Sequence, residues 1–405
     1  MLSFYNSLGG KKEIFRPVNK AVVNIFTCGP SVYQRAHIGN FRTFLFEDVL
    51  VRYLQYSGYR VKRGMIFTDI EDKAIAEAIK THSEITSLTA DNIHGFLEEM
   101  KTLGMLVPDY LPKASEHVDA AVDLIERLLE KRIAYWHAGN VYFDPLCFDG
   151  FGKLYGLDMS RWPKKKRRFH KDTYPGVQWN LGDFILWHGC KGGEKNCWET
   201  KIGRGRPSWN IQDPSMICGL FDETLSIYCG GEDNLYRHHD YTIAILESLR
   251  PYPMAAYWLH CRHLYVEGHK MSKSKGNVYY TDTVLAKGYS AAELRFFLIY
   301  GHYRSRLNYR SELVQASAIK LRNLRKIVSD IRKRAGQEEG GESGSSERLI
   351  KAFTNGMDND LDVKAACDEI SAVLEETMPA ELDKKEAAGI VKTLRGIDGV
   401  LKVLF

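Results

Sequence analysis

Two kinds of hydrophobic pattern run along the chain, and the change between them divides it. Residues 21–29 (AVVNIFTCG) form a short apolar run closed by glycine. Such a run suits a strand buried on both faces of a parallel sheet. Residues 37–58 (HIGNFRTFLFEDVLVRYLQYSG) then repeat apolar positions at helical spacing and stop at Gly58, a helix-end signal. Residues 59–70 (YRVKRGMIFTDI) read as a second strand and 71–80 (EDKAIAEAIK) as the start of a second helix. This β-α-β-α order predicts an α/β fold, a Rossmann-type parallel sheet with helices on both faces. Residues 115–134 predict an amphipathic helix.

The order then breaks. Residues 136–205 are rich in Gly, Trp and Lys with little periodicity, and read as an insertion in the sheet domain. The strand–helix pattern resumes with LSIYCGG (225–231) and HHDYTIAILESL (238–249), and YWLHCRHLYVEG (257–268) reads as a strand pair. After residue 283 the pattern is helical almost to the end. Residues 334–347 (RAGQEEGGESGSSE) form a flexible linker, because Gly, Ser and charge without apolar positions cannot build a core. Two amphipathic helices follow, so the C-terminal part is expected to be an all-α bundle. No internal repeat is visible.

Composition narrows the class. With 405 residues, 44% hydrophobic and 26% charged, the chain has core enough for two or three domains. The net charge of +5 comes from 56 basic and 51 acidic residues; it permits nucleic-acid contact without demanding it. No apolar run is long enough to span a bilayer, and the first residues, MLSFYNSLGGKKEIF, lack the apolar core of a signal peptide. A cytoplasmic protein is expected, with no membrane partner. The eight cysteines are scattered, with no Cys-x-x-Cys pair, which points away from a compact disulfide scaffold or a zinc ribbon.

Two motifs carry chemistry. His37-Ile38-Gly39-Asn40 follows a strand and opens a helix. A helix start offers free N–H groups and a positive dipole end to phosphates, a histidine can donate to a phosphate, and a glycine lets a ring approach the backbone. Alone, the four residues fit an ordinary turn and cap equally well. The second motif is Lys270-Met271-Ser272-Lys273-Ser274, inside EGHKMSKSKGN. Two ammonium groups three residues apart can grip nucleotide phosphates and stabilise charge that develops when an α-phosphate is attacked. The small hydroxyl residues suit a loop that closes. A solvated basic loop is the plain alternative.

Together these motifs resemble the paired signature of class I aminoacyl-tRNA synthetases, and the chain is similar to the cysteinyl-tRNA synthetase family within that class. CGPSVYQRAHIGNFRTF, FTDIEDKAI, DFILWH, GRPSW, CGGEDNLYRHHDYTIA, YWLH, EGHKMSKSKGN and FFLIYGHYRSRLNY occur in family order, to about residue 310. The resemblance implies a catalytic Rossmann domain in two halves, 1–115 and 206–260, split by a connective insertion, 116–205. A linking fold with the lysine-bearing loop (261–305) and a helical bundle (306–405) would follow. It implies an ATP-dependent ligase that makes aminoacyl-adenylate and transfers the acyl group, first choice to a tRNA acceptor end. His37 and Asn40 would hold ATP phosphates, with Gly39, Ser272 and Ser274 beside them. Lys270 and Lys273 would stabilise the transition state, with Mg2+ accompanying ATP. Gly230 and Gly231 would admit adenosine. Thr68, Trp209 and Asp233 match positions lining the family's amino-acid pocket, where an aspartate suits the substrate ammonium. The state is expected to be a monomer or a homodimer.

The resemblance breaks at the substrate-reading zinc. The family holds it with two cysteines, a histidine and a glutamate. Cys28 and His238 are kept, but Asp213 stands at the second cysteine and Thr242 at the glutamate. Three readings follow. Cys28, Asp213 and His238 still hold zinc, helped by His239, Asp240 or Cys229, since carboxylate is an accepted zinc ligand. Or no metal binds, and Asp213 reads a different side chain. Or the pocket is dead and the protein is a silent RNA-binding relative, which the intact phosphate-handling residues oppose. The chain also stops at Phe405, so the family's extra anticodon-binding module is expected to be absent. Mycothiol-pathway cysteine ligases, which join cysteine to an amino-sugar, share that plan, so a non-tRNA amine or carrier is an alternative acceptor. The run RWPKKKRRFHK (161–171) clusters cations with aromatics, as single-stranded nucleic-acid ends favour, or is a solvated loop.

Overall fold

The structure is a computed structural model that describes residues 1–161, 182–271, 276–338, 340 and 343–405. A hairpin of β1 (Ser3–Asn6) and β2 (Lys11–Ile14) precedes β3 (Val23–Thr27), α1 (Ile38–Tyr56), β4 (Val61–Met65), α2 (Asp72–Lys80), α3 (Ile85–Thr102) and α4 (Val118–Glu130). The inserted region contributes β5 (Ala134–His137), β6 (Asn140–Phe143), β7 (Phe184–Gly189) and β8 (Gly205–Pro207). There follow α5 (Trp209–Leu220), β9 (Leu225–Gly231), a π turn (Leu235–Asp240), α6 (Tyr241–Leu249) and β10 (Ala255–Cys261). The remainder holds β11 (Leu264–Val266), β12 (His269–Lys270), α7 (Thr281–Leu285), α8 (Ala291–Ile299), β13 (Leu307–Tyr309), α9 (Ser311–Ala335), α10 (Gly344–Asp358), α11 (Val363–Glu376) and α12 (Lys384–Leu401).

The central sheet is parallel throughout, in the order β10-β9-β3-β4. Its earliest strand, β3, lies inside the sheet, so the chain winds outward to β4 on one side and to β9 and β10 on the other. Strand order reverses between β3 and β9, and a crevice opens at their carboxyl ends, the place where such sheets bind ligands. Successive residues alternate between two cores. Ile25, Ile227 and Leu259 pack with Phe41, Leu45 and Val49 of α1. Phe26, Tyr228 and Trp258 pack with Ile125 of α4, Ile211 of α5 and Ile245 of α6. Among the described residues, no helix is long and apolar enough to cross a membrane.

The structure adds detail to four readings. Among its described residues the insertion holds an antiparallel sheet, β5-β6-β7-β8, whose short strands leave too few alternations for a period to show. Residues 257–268 do contain two strands, but in different sheets. β10 closes the edge of the parallel sheet, while β11 pairs antiparallel with β12 and parallel with β13. The linker is shorter than 334–347, because α9 runs to Ala335 and Ser343 caps α10 through the Ser346 N–H. Finally, Cys190 and Cys197 form one disulfide that closes a loop between β7 and β8.

A buried ion cluster ties the sheet domain to the bundle. The Asp48 carboxylate of α1 accepts from Arg295 of α8 at 2.6 Å and from Arg52 at 2.9 Å. It also accepts from the Leu106 N–H at 2.7 Å, while Arg295 donates to the Leu401 and Leu103 carbonyls. All three charged groups are buried. Asp48→Ala would leave two buried guanidinium groups without their counter-charge. Equilibrium urea unfolding is expected to show a loss of roughly 3–5 kcal/mol; a loss below about 1 kcal/mol, the value of an exposed pair, would show that the cluster does not hold the two parts together.

Candidate active site

The His-Ile-Gly-Asn segment builds the N-terminus of α1. His37 is the N-cap, and its Nδ1 accepts from the Asn40 N–H at 3.2 Å. Asn40 Oδ1 accepts in return from the His37 N–H at 3.0 Å, a reciprocal capping box. Both side chains are therefore spent in part on holding the helix start that faces the crevice. A Cβ on Gly39 would lie 3.0 Å from the His37 ring, so glycine keeps that approach open.

The crevice is a cavity of about 720 Å³. Cys28, Trp209, Gly230, Gly231 and Asp233 line it with His37, Gly39, Asn40 and Lys270. Residues far apart in sequence thus share one space. Gly230 is required by its neighbour, since a Cβ there would lie 2.7 Å from His239 Cε1. Lys270, at the end of β12, places its ammonium 3.3 Å from His263 Nε2 and 3.7 Å from Asp233 Oδ2. Burial lowers the His263 pKa, with Asp233 opposing the shift. Ser272, Lys273 and Ser274 lie outside the described residues, as does nearly all of the basic run 161–171.

Sequence reasoning missed Ser31, Tyr33, Lys73 and His263, which also line the cavity. Lys73 sits over the Tyr33 ring, 5.5 Å from its centroid, and burial lowers its pKa while Glu71 and Asp233 raise it. Its signal was available: a lysine seventh in the matching FTDIEDKAI stretch and second in α2, where a helix begins after a strand.

Behind Cys28 lies a buried polar cluster. The Asp213 carboxylate accepts from Tyr228 Oη at 2.8 Å and from His238 Nε2 at 2.8 Å. Cys28 Sγ is 3.7 Å from the same carboxylate oxygen, 3.6 Å from Tyr228 Oη and 3.0 Å from His239 Nε2. Trp209 stacks on the His238 ring, centroids 4.1 Å apart at 12°. Burial raises the Cys28 pKa well above normal, and Asp213 adds to it. Burial lowers that of His239, helped by His260 and His238.

Other expected members are elsewhere. The Thr242 hydroxyl donates to the His238 carbonyl at 2.8 Å and does not wall the cavity. Thr68 is buried, bridged through its backbone to Ser31, which lines the cavity in its place. Asp240 accepts from the Leu154 and Tyr155 N–H groups and so anchors the insertion instead of reaching Cys28. Cys229 packs in the core on the α1 face of the sheet, opposite its neighbour Tyr228.

The donors present suit a soft divalent cation. Cys28, His238 and His239 bring ligand atoms within 4.8 Å of one another. Among the described residues, His238 Nδ1 and Asp213 Oδ1 are buried without a hydrogen-bond partner, an unmet cost of about 1–3 kcal/mol each that a ligand would relieve. A second group, Cys190, Glu194 and Cys197, has both thiols spent in the disulfide.

Comparison with known proteins places this geometry. The family model for the class I (C) tRNA synthetase catalytic domain matches residues 14–320. A cysteine--tRNA ligase of Chlamydia pneumoniae is 37% identical over 419 residues, covering 100% of this chain and 86% of that protein. One of Brachyspira hyodysenteriae is 36% identical, covering 90% of this chain and 77% of that protein. Among solved structures, a methionyl-tRNA synthetase of Mycobacterium tuberculosis with methionyl-adenylate superposes with a TM-score of 0.63 at 14% identity, over 95% of this chain and 90% of that one. A LeuRS–tRNA–LeuAMS ternary complex of Agrobacterium radiobacter gives 0.68 at 12% identity, over 96% and 85%; at such identities the likeness is one of fold. The switch-point cavity, the helix-start signature and the full-length relatives agree, and the chain belongs to the class I (C) tRNA synthetase family, whose members are ATP-dependent ligases.

Proposed function

We propose that the protein activates cysteine with ATP to cysteinyl-adenylate and passes the cysteinyl group to the terminal ribose of a tRNA. The observation that carries this reading is the convergence in one cavity of the α1 start, Lys270 and a floor containing Cys28. A substrate carboxylate oxygen attacks the α-phosphorus of ATP. That P–O bond forms as the bond to the β-phosphate oxygen breaks, and pyrophosphate leaves with the electron pair.

Position supports the roles of the described residues, and the sequence motif that of Lys273. The N-terminus of α1, with His37 and Asn40, offers donors to the phosphates. Lys270 lines the same cavity, and Lys273 follows it in sequence. Both supply positive charge where negative charge develops. Asp233 suits the substrate ammonium, and Gly230 and Gly231 leave backbone open to adenosine. Mg2+ would accompany ATP, neutralising the phosphates. A soft cation held near Cys28 would, when bound, supply a Lewis acid that takes a thiolate and refuses a serine hydroxyl.

Amino-acid-dependent ATP–pyrophosphate exchange across the twenty amino acids tests this. Exchange with cysteine and charging of bulk tRNA are expected; silence with every amino acid overturns the reading, and transfer only to small amines overturns its tRNA half. Lys270→Ala is expected to slow exchange by about 100-fold, the scale of losing one charge-stabilising donor, with a much smaller change in ATP affinity. Equal losses in rate and affinity would assign Lys270 to ground-state binding.

A further inference from the structure

His238 and His239 are consecutive in the π turn Leu235–Asp240, and a neighbouring group holds one nitrogen of each ring. For His238 that nitrogen is Nε2, 2.8 Å from Asp213 Oδ2. A carboxylate only accepts, so Nε2 carries the proton and Nδ1, buried without a partner among the described residues, keeps its lone pair. For His239 the held nitrogen is Nδ1, 2.8 Å from His260 Nε2, and His260 Nδ1 is in turn 2.8 Å from Ser7 Oγ. With donation running outward toward Ser7, His239 Nε2 keeps its lone pair, 3.0 Å from Cys28 Sγ. Metal-binding histidines are held in this way, with the second nitrogen donating to a carboxylate or another acceptor.

Both replaced positions contact the same residue. Asp213 accepts from the His238 imidazole, whereas the Thr242 hydroxyl donates to the His238 backbone carbonyl at 2.8 Å and does not touch the ring. Neither is needed as a ligand if His239 is one.

We infer that Cys28, His238 and His239 hold a zinc-like thiophilic cation in this chain, with Asp213 and His260 as the outer groups that set the two rings. Three protein ligands are the pattern of zinc sites that keep a position open for water or substrate. A substrate thiolate suits that fourth position, and only this last point rests on the proposed activation of cysteine.

The test reads metal first. Zinc per chain is measured on purified protein, and affinity by competition with a chromophoric chelator. One zinc per chain is expected. His239→Gln is expected to weaken it by at least 100-fold, while Asp213→Asn and His260→Phe weaken it about 10–100-fold, the range for outer partners. Thr242→Val should leave it unchanged. His239→Cys, which restores a soft ligand, should recover binding; thermal melts check that each variant folds. Cobalt-loaded protein should show a thiolate-to-metal charge-transfer band that Cys28→Ser abolishes, a readout that does not depend on the histidine variants folding. Absence of zinc, zinc indifferent to His239→Gln, or a larger loss with Asp213→Asn than with His239→Gln would each overturn the assignment. Pyrophosphate exchange run beside it separates the two claims. Exchange without bound metal removes the metal site alone, and bound metal without exchange removes the proposed activation alone.

Discussion

The parallel pairing of β3 with β9 is the constraint on which the site depends. Phe26 pairs with Tyr228 and Thr27 with Cys229, and the Cys28 N–H extends the ladder to the Cys229 carbonyl at 3.3 Å. This register puts Cys28 Sγ beside Tyr228 Oη and leaves Cys229 in the opposite core. A slip of one residue would exchange the two faces. Only glycine fits at position 29, where the chain leaves the sheet, because a Cβ there would lie 1.5 Å from the Ile66 carbonyl oxygen. That departure opens the crevice into which α1 points.

Electrostatics at the crevice floor follow from burial. Cys28 is pushed toward the thiol and His239 toward neutral imidazole. A cation there reverses the preference at Cys28, since coordination favours thiolate over thiol. The same neutrality that suits a dry pocket also leaves imidazole lone pairs available, whereas a protonated ring would have none to offer.

Much of the architecture was legible because it repeats. β3 and β9 stand out as apolar runs and α1 and the C-terminal helices by helical spacing, and His37, Gly39, Asn40 and Lys270 of the two motifs line one cavity. What was not legible depends on direction. The strands of the insertion hold only three to six residues each, too short for alternation to stand out. Asp213 and Thr242 were visible as changes of residue type, but only side-chain direction shows that both lean on His238. The π turn brings His238 and His239 to one cluster, which helical spacing would not suggest. The His239–His260 contact joins residues 21 apart in sequence, on different elements. Cys229 was a readable error: strand alternation alone separates it from Tyr228.

The proposed function has the crevice hold an adenylate whose amino-acid end meets sulfur-loving donors. Its most direct measurement is the calorimetric affinity of the wild-type protein for sulfamoyl analogues of cysteinyl- and seryl-adenylate, which differ in one atom of the side chain. The cysteinyl analogue is expected to bind at least about 100-fold tighter, a discrimination that size alone does not supply. Equal affinity for the two, or preference for the seryl analogue, would contradict it.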